Sequence, residues 1–219
     1  MKTPHPDQKT GFTLIELLTV IAIIGILAAI IIPVTGKVRS SARMTQCKSN
    51  IRQVGLAMIL FAEEHQGRFP ARNAGGGWAR KLVDGGYVDK AGKTLTCPAD
   101  KNAEGKPRPR SYAYVTPAMI PTIPKEDTSK SVVLQKFENP SRIMMLTEWH
   151  WANQDYNKMD GGGIDQKAMD TPTQVFHPDG RRNFVFLDGH VASFRKEDFE
   201  ASDRRWGRRS EGQSGAEAP

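Results

Sequence analysis

With 219 residues, 38% hydrophobic and 25% charged, the chain has room for one folded domain plus extensions. Its net charge of +7 is spread along the sequence, with one cluster at Arg204, Arg205, Arg208 and Arg209. The interleaved aromatics of a single-strand-binding surface are not seen, so the charge reads as solubility and no nucleic acid is expected as a partner.

Residues 1–11 are polar and slightly basic. Residues 12–32 follow, with only Thr13, Glu16, Thr19 and Gly25 outside the strongly apolar class. As a helix rising 1.5 Å per residue, this run spans about 30 Å, the hydrocarbon thickness of a bilayer. A secretory signal peptide has a shorter apolar region and a small-x-small cleavage site on its far side. This run is longer and flows into another helix, which leaves a plain membrane anchor open on hydropathy. Charge counting does not orient it, because Lys37, Arg39 and Arg43 after the run outnumber Lys2 and Lys9 before it. Glu16 lies just inside the run. A charged side chain near lipid is costly, so this carboxylate is a functional candidate. Pro33, at the far end, removes one backbone donor and is expected to bend or loosen the helix.

After Gly36 the pattern turns amphipathic. Cys47, Ile51, Val54, Met58 and Phe61 recur at steps of four and three, with Arg43, Lys48, Arg52, Glu63 and Glu64 largely off that stripe. The spacing predicts a helix to about His65, stopped by Gly67 and Pro70, whose stripe packs on a sheet. A short helix starting at Trp78 is expected to end at Gly85-Gly86, with Trp78, Leu82, Tyr87 and Val88 covering the long helix. Residues 98–110 have loop composition. Strands are predicted at 112–115 and 142–147. The clearest pair, 183–187 and 190–194, flanks Asp188-Gly189, a strong hairpin signal, with Phe184, Phe186 and Val191 as packed-face candidates. The tail, 204–219, has no apolar periodicity and reads as flexible. The resulting fold class is α+β, a long N-terminal helix, first transmembrane and then amphipathic, packed on a small antiparallel β-sheet. The divisions are 1–11, a transmembrane helix at 12–34, an amphipathic helix plus globular domain at 35–203, and the tail.

Cys47 and Cys97 can pair if the domain lies outside the cytoplasm, and otherwise remain two buried thiols. Pairing would close a loop worth roughly 4 kcal/mol in the chain-entropy model. The sequence holds no convincing catalytic set: no Gly-rich phosphate loop followed by Lys-Ser/Thr, and no paired Cys-x-x-Cys. Two groupings are metal candidates. His177, Asp188 and His190 offer two imidazoles and a carboxylate, or else an ordinary turn. The loop 155–170 carries Asp155, Asp160, Asp165 and Asp170 around three glycines. Its hard oxygens suit calcium without matching an EF-hand, and a solvated acidic loop is the alternative. Trp149, His150, Trp151 and Asn153 read either as an exposed ligand face or as packing.

Gly11-Phe-Thr-Leu-Ile-Glu-Leu-Leu resembles the processing and N-methylation motif of type IV prepilins and type II secretion pseudopilins. The resemblance implies a pilin-like fold and a membrane peptidase that is also an N-methyltransferase. That enzyme would cut after Gly11 on the cytoplasmic side, remove the leader 1–11 and methylate Phe12. The apolar helix would hold the subunit in the bacterial inner membrane by a single pass, with the globular domain periplasmic. Pro33 matches the family's helix proline. The chemistry is coherent: Gly11 lets a protease approach the backbone closely. The new amine at Phe12 lies four residues from Glu16, and an amine from a neighbouring subunit would offset that carboxylate in an apolar filament core. The implied partners are that peptidase and other pilin-like subunits, and the implied role is structural, with no enzymatic activity. A minor tip or adhesin-like surface-binding subunit is the alternative. Some pseudopilins bind calcium in a region like 155–170.

The resemblance extends further. Cys47-Lys-Ser-Asn-Ile-Arg-Gln-Val-Gly-Leu-Ala, Thr96-Cys97-Pro98, Asn139-Pro140-Ser141 and Asp188-Gly189-His190 resemble segments of a prepilin-type subgroup with a His-x9-Asp-Gly motif near its end. Here ten residues separate His177 from Asp188, one more than in that motif. The pattern from Trp78 to Tyr87 resembles the major pseudopilin.

Overall fold

The computed structural model describes residues 13–71, 77–115, 140–150, 163–164, 177 and 179–195. The chain divides into two compact units, Met1–Ser41 and Ala42–Pro219. One helix, α1 (Leu14–Glu64, 51 residues), begins in the first and ends in the second.

In the first unit the helix is held at its start by Thr13 and Glu16, a Thr-x-x-Glu capping pair. Its helical geometry continues through Pro33, which costs one backbone bond without ending the element. The large apolar side chains from Leu14 to Val34 stay 46% to 80% exposed. Among the described residues no protein surface covers this stretch, and by length and composition it is sufficient to cross a bilayer.

In the second unit the predicted stripe is the buried face of α1. Cys47, Ile51, Val54 and Met58 are fully buried and Phe61 packs against the same core. Asn50, Gly55, Ala57 and Ala62 share that face. Gly55 marks a close approach of helix and sheet: a Cβ there would stand 2.4 Å from Val185 Cγ1. The helix stops one residue before the expected His65. Gln66 and Gly67 adopt left-handed backbone angles, and the Gly67 N–H closes the last turn on the Ala62 carbonyl at 2.7 Å.

A second helix, α2 (Gly77–Asp84), buries Trp78 and Leu82, as expected from the sequence, and Ala79 and Val83 with them. It ends in a Schellman motif, with the Tyr87 N–H on the Leu82 carbonyl and Gly86 at φ 76°. Val88 completes the cover and Tyr87 donates a hydrogen bond to Glu64 at the end of α1.

The strands are β1 (Tyr112–Val115), β2 (Met144–Glu148), β3 (Gly163–Ile164), β4 (Arg181–Phe186) and β5 (Val191–Arg195), in spatial order β3-β1-β2-β4-β5. β1, β2, β4 and β5 pair antiparallel, and the two-residue β3 adds a parallel edge to β1. Central β2 is buried along its whole length, and β4 is buried except for Arg181. The β4–β5 hairpin turns through Leu187, Asp188 and Gly189, one residue more than the Asp-Gly pair alone. The Gly189 N–H returns to the Phe186 carbonyl at 2.9 Å with Gly189 at φ 85°. Phe184 and Phe186 are buried, and Val191 is partly so. The arrangement is a long apolar helix with a four-strand antiparallel sheet, an α+β, pilin-like fold.

Candidate functional site

Two places concentrate chemistry. The first is the start of α1. Thr13 donates its N–H (2.9 Å) and its hydroxyl (2.6 Å) to Oε2 of Glu16, and the Glu16 N–H returns to the Thr13 hydroxyl oxygen at 3.3 Å. Thr13 is the N-cap and Glu16 the third helical residue, so the carboxylate also sits at the positive end of the helix dipole. Gly11 and Phe12 lie outside the described residues.

The second is a chain of buried polar groups inside the globular unit. Cys47 on α1 is joined to Cys97 by a disulfide across 50 residues of sequence. Next to it Glu148, the last residue of β2, is fully buried. Its carboxylate accepts from the Asn183 N–H (2.9 Å) and the Asn183 side-chain amide (3.0 Å), both from β4. His177 Nε2 lies 2.9 Å from both carboxylate oxygens. A tight turn places that imidazole: the His177 N–H reaches the Arg181 carbonyl and the Gly180 N–H returns to the His177 carbonyl, each at 2.8 Å. Burial works against charging His177, but the hydrogen bond and charge of Glu148 outweigh it, and its pKa is raised. Arg182 is buried as well; burial lowers its pKa to about 10, with Glu148 pulling the other way.

The polar chain continues on both sides. Asn183 Oδ1 accepts from the Ser193 hydroxyl at 2.6 Å on β5. In the other direction the His150 ring stands edge-on to His177, with centroids 6.1 Å apart. Its Nδ1 lies 4.0 Å from Asp100, which in turn accepts from the Ser111 hydroxyl at 2.7 Å. Burial dominates at His150 and lowers its pKa to about 4, despite the carboxylates of Asp100 and Glu148.

His177 is thereby drawn away from the partners the sequence offered it. It precedes β4 and faces Glu148, while Asp188 and His190 lie beyond the other end of that six-residue strand. Those two pair with each other, Nδ1 to Oδ1 at 2.6 Å, and shape an exposed turn in which His190 stacks on Phe186. The three residues therefore form no ligand set. Trp149 and His150 are buried, as packing residues are, and Trp151, Asn153, Asp155, Asp160, Asp165 and Asp170 lie outside the described residues. Glu148, Asn183 and Asp100 escaped the sequence reading. The one available signal was an acidic residue closing the apolar run Met144-Met-Leu-Thr-Glu.

Comparison with known proteins addresses the first place directly. Residues 7–32 match the model of the prokaryotic N-terminal methylation motif. The chain is 34% identical over 94 residues to the ComG operon protein 3 homolog of Bacillus licheniformis, covering 43% of this chain and 87% of that protein. The chain belongs to the prepilin-type family of pilins and pseudopilins. Two longer relatives each match about a quarter of this pilin-like chain. The type II secretion system core protein G of Pseudomonas aeruginosa is 37% identical over 54 residues, 25% of this chain and 38% of that protein. The type IV major pilin PilA of Myxococcus xanthus is 46% identical over 57 residues, 26% of each. No solved structure matches the chain.

Proposed function

We propose that this chain is a structural subunit of a type II secretion pseudopilus or a related type IV filament. In this reading it is cleaved after Gly11, methylated at Phe12, held in the bacterial inner membrane with its globular unit on the far side, and drawn into the polymer through α1. The observation that carries it is the capped Glu16 at the head of an exposed apolar helix, within a segment that matches the methylation motif. Each large aliphatic side chain gains roughly 1.5–3 kcal/mol on leaving water. The rod must therefore be covered either by lipid or by apolar helices of other subunits, and those environments are close enough in polarity for it to exchange one for the other.

The carboxylate supplies direction. Both Thr13 bonds fall on Oε2, so Oε1 remains for an incoming cation. The amine of a neighbouring Phe12 fits that need: in an apolar surrounding a carboxylate and an amine together are far less costly than either alone. One such contact per subunit would fix the axial register of the stack. The partners in this reading are other pilin-like subunits, in keeping with the pilin named among the relatives, and a prepilin peptidase with N-methyltransferase activity, which the methylation motif implies. No observation favours the tip or adhesin reading, since the aromatic segment offered for it is buried where it is described.

Mass spectrometry of the mature N-terminus tests the processing: a chain beginning at N-methyl-Phe12 is expected, and an intact Met1 start or cleavage beyond Ala28 would overturn it. Immunoblotting of sheared filaments tests the assembly: a filament fraction lacking this chain would remove the structural role.

A further inference from the structure

We infer that, once the Cys47–Cys97 bridge is reduced, this chain holds a single zinc ion between Cys47, Cys97, Glu148 and His177. Ligand atoms of these four residues all lie within 4.8 Å of one another, and all four residues are buried. In a tetrahedral zinc site with bonds of 2.0–2.3 Å the ligand atoms stand roughly 3.6 Å apart, so the set closes when the two sulfurs, released from their bond, part to that spacing and the wider pairs draw in by up to about 1 Å. Two thiolates, an imidazole and a carboxylate suit zinc, and they exclude the oxygen-only chemistry of calcium or magnesium. None of the four lies in the apolar rod, so the site stands whether or not the chain polymerises.

The surroundings hold these residues in place without the sulfur–sulfur bond. The Cys97 carbonyl accepts from the Asp100 N–H at 2.9 Å, and the neighbouring Thr96 carbonyl from the Asn50 amide at 2.8 Å, which ties that loop back to α1. The Cys47 carbonyl accepts from the Tyr112 hydroxyl at 3.4 Å. Asn183 grips the Glu148 carboxylate through two donors, the kind of support that orients a metal-binding carboxylate. His177 brings an unspent nitrogen: its Nδ1 is buried with no hydrogen-bond partner among the described residues.

The chemistry balances. A dithiol reductant passes two electrons and two protons to the bridge and leaves as its own disulfide, while Cys47 and Cys97 become thiols. Zinc then displaces the two thiol protons to solvent, because the ligand is the thiolate. The bridge and the metal are thus alternative braces at one position, the first suited to an oxidising compartment and the second to a reducing one.

The test uses the full-length chain in detergent micelles, stripped of metal and reduced with a phosphine, which leaves as its oxide and adds no competing thiol. Cobalt(II), a spectroscopic stand-in, is expected to saturate at one equivalent, with a sulfur-to-metal charge-transfer band and visible bands of tetrahedral intensity that zinc bleaches. The oxidised chain is expected to show neither. His177→Gln and Glu148→Gln are each expected to weaken binding at least about 10-fold, and Asn183→Ala by about 10- to 100-fold. A second readout needs no variant: one equivalent of zinc should slow alkylation of both cysteines and raise the midpoint of thermal unfolding of the reduced chain. A reduced chain that shows no charge-transfer band, or that is unfolded and stays unfolded with zinc, overturns the site. So does a band that survives both His177→Gln and Glu148→Gln at full affinity.

Discussion

Glu16 and Glu148 are both carboxylates in apolar settings, and the chain supports them in opposite ways. Glu16 finds its donors three residues away in Thr13, inside one helical turn. Glu148 finds its partners 29 and 35 residues away, on a turn and a strand that meet it only in the finished fold. A locally satisfied carboxylate travels with its helix and keeps its partner in lipid, in detergent or against another protein. A distantly satisfied one exists only while the sheet is intact, and reports on that sheet. Under the proposed function the apolar half of α1 changes surroundings, whereas the globular unit stays as it is.

The sharpest way to break this contrast is Glu148→Leu. It would strand His177 and the Asn183 donors in the core, and should cost up to about 5 kcal/mol in denaturant unfolding of the detergent-solubilised chain. A loss under 1 kcal/mol would show that the polar chain does not hold the sheet. Next in size is the other distant tie. Replacing both cysteines by alanine should lower stability by about 4 kcal/mol, as expected for a bridge across 50 residues. An unchanged midpoint would mean that the remaining contacts already close the loop.

A smaller effect is expected from pH. His150 is buried facing Asp100, Glu148, His177 and Arg182, and its pKa falls from the usual 6.5 to about 4. Between those values the unfolded chain takes a proton that the folded chain refuses, so stability should decline as pH drops from 6.5 toward 4. His177, whose pKa is raised, works in the opposite sense: its contribution is complete below 6.5 and is lost as pH rises through its folded value. Urea midpoints across this window for wild type and His150→Gln separate the two, and a slope unchanged by His150→Gln would remove His150 as the cause. The smallest expected effect is at the helix start. Thr13→Val should loosen the first turn by about 1 kcal/mol, and Glu16→Ala should leave the unfolding of the globular unit untouched while impairing polymer entry. A wild-type polymer yield from Glu16→Ala would end the role proposed for that carboxylate.

What the sequence revealed follows the same division. Features set by local spacing were legible: the buried stripe of α1, the Gly86 stop of α2, strand β1 at its true limits, and the β4–β5 hairpin around Asp188-Gly189. Features set by distant contact were not. Strand β3 is two residues long, too short to carry a pattern, and is defined only by its pairing with Tyr114 and Val115. Asn50 and Gly55 sit on the packed face for reasons no periodicity states: one donates to Thr96, and the other makes room for Val185. Sequence spacing groups His177 with Asp188 and His190, because the single cue at Glu148, an acid closing an apolar run, does not name its distant partners.

The space left at Gly55 has a mechanical consequence. A methyl of Val185 occupies the place where any other residue would carry its side chain. It acts as a detent, because moving the helix lengthwise along the sheet would drive a bulkier neighbour of Gly55 into that methyl. Load applied along this part of the helix is therefore taken up as shear across the ladder joining β4 to β2 and β5, where many hydrogen bonds resist together instead of opening one at a time.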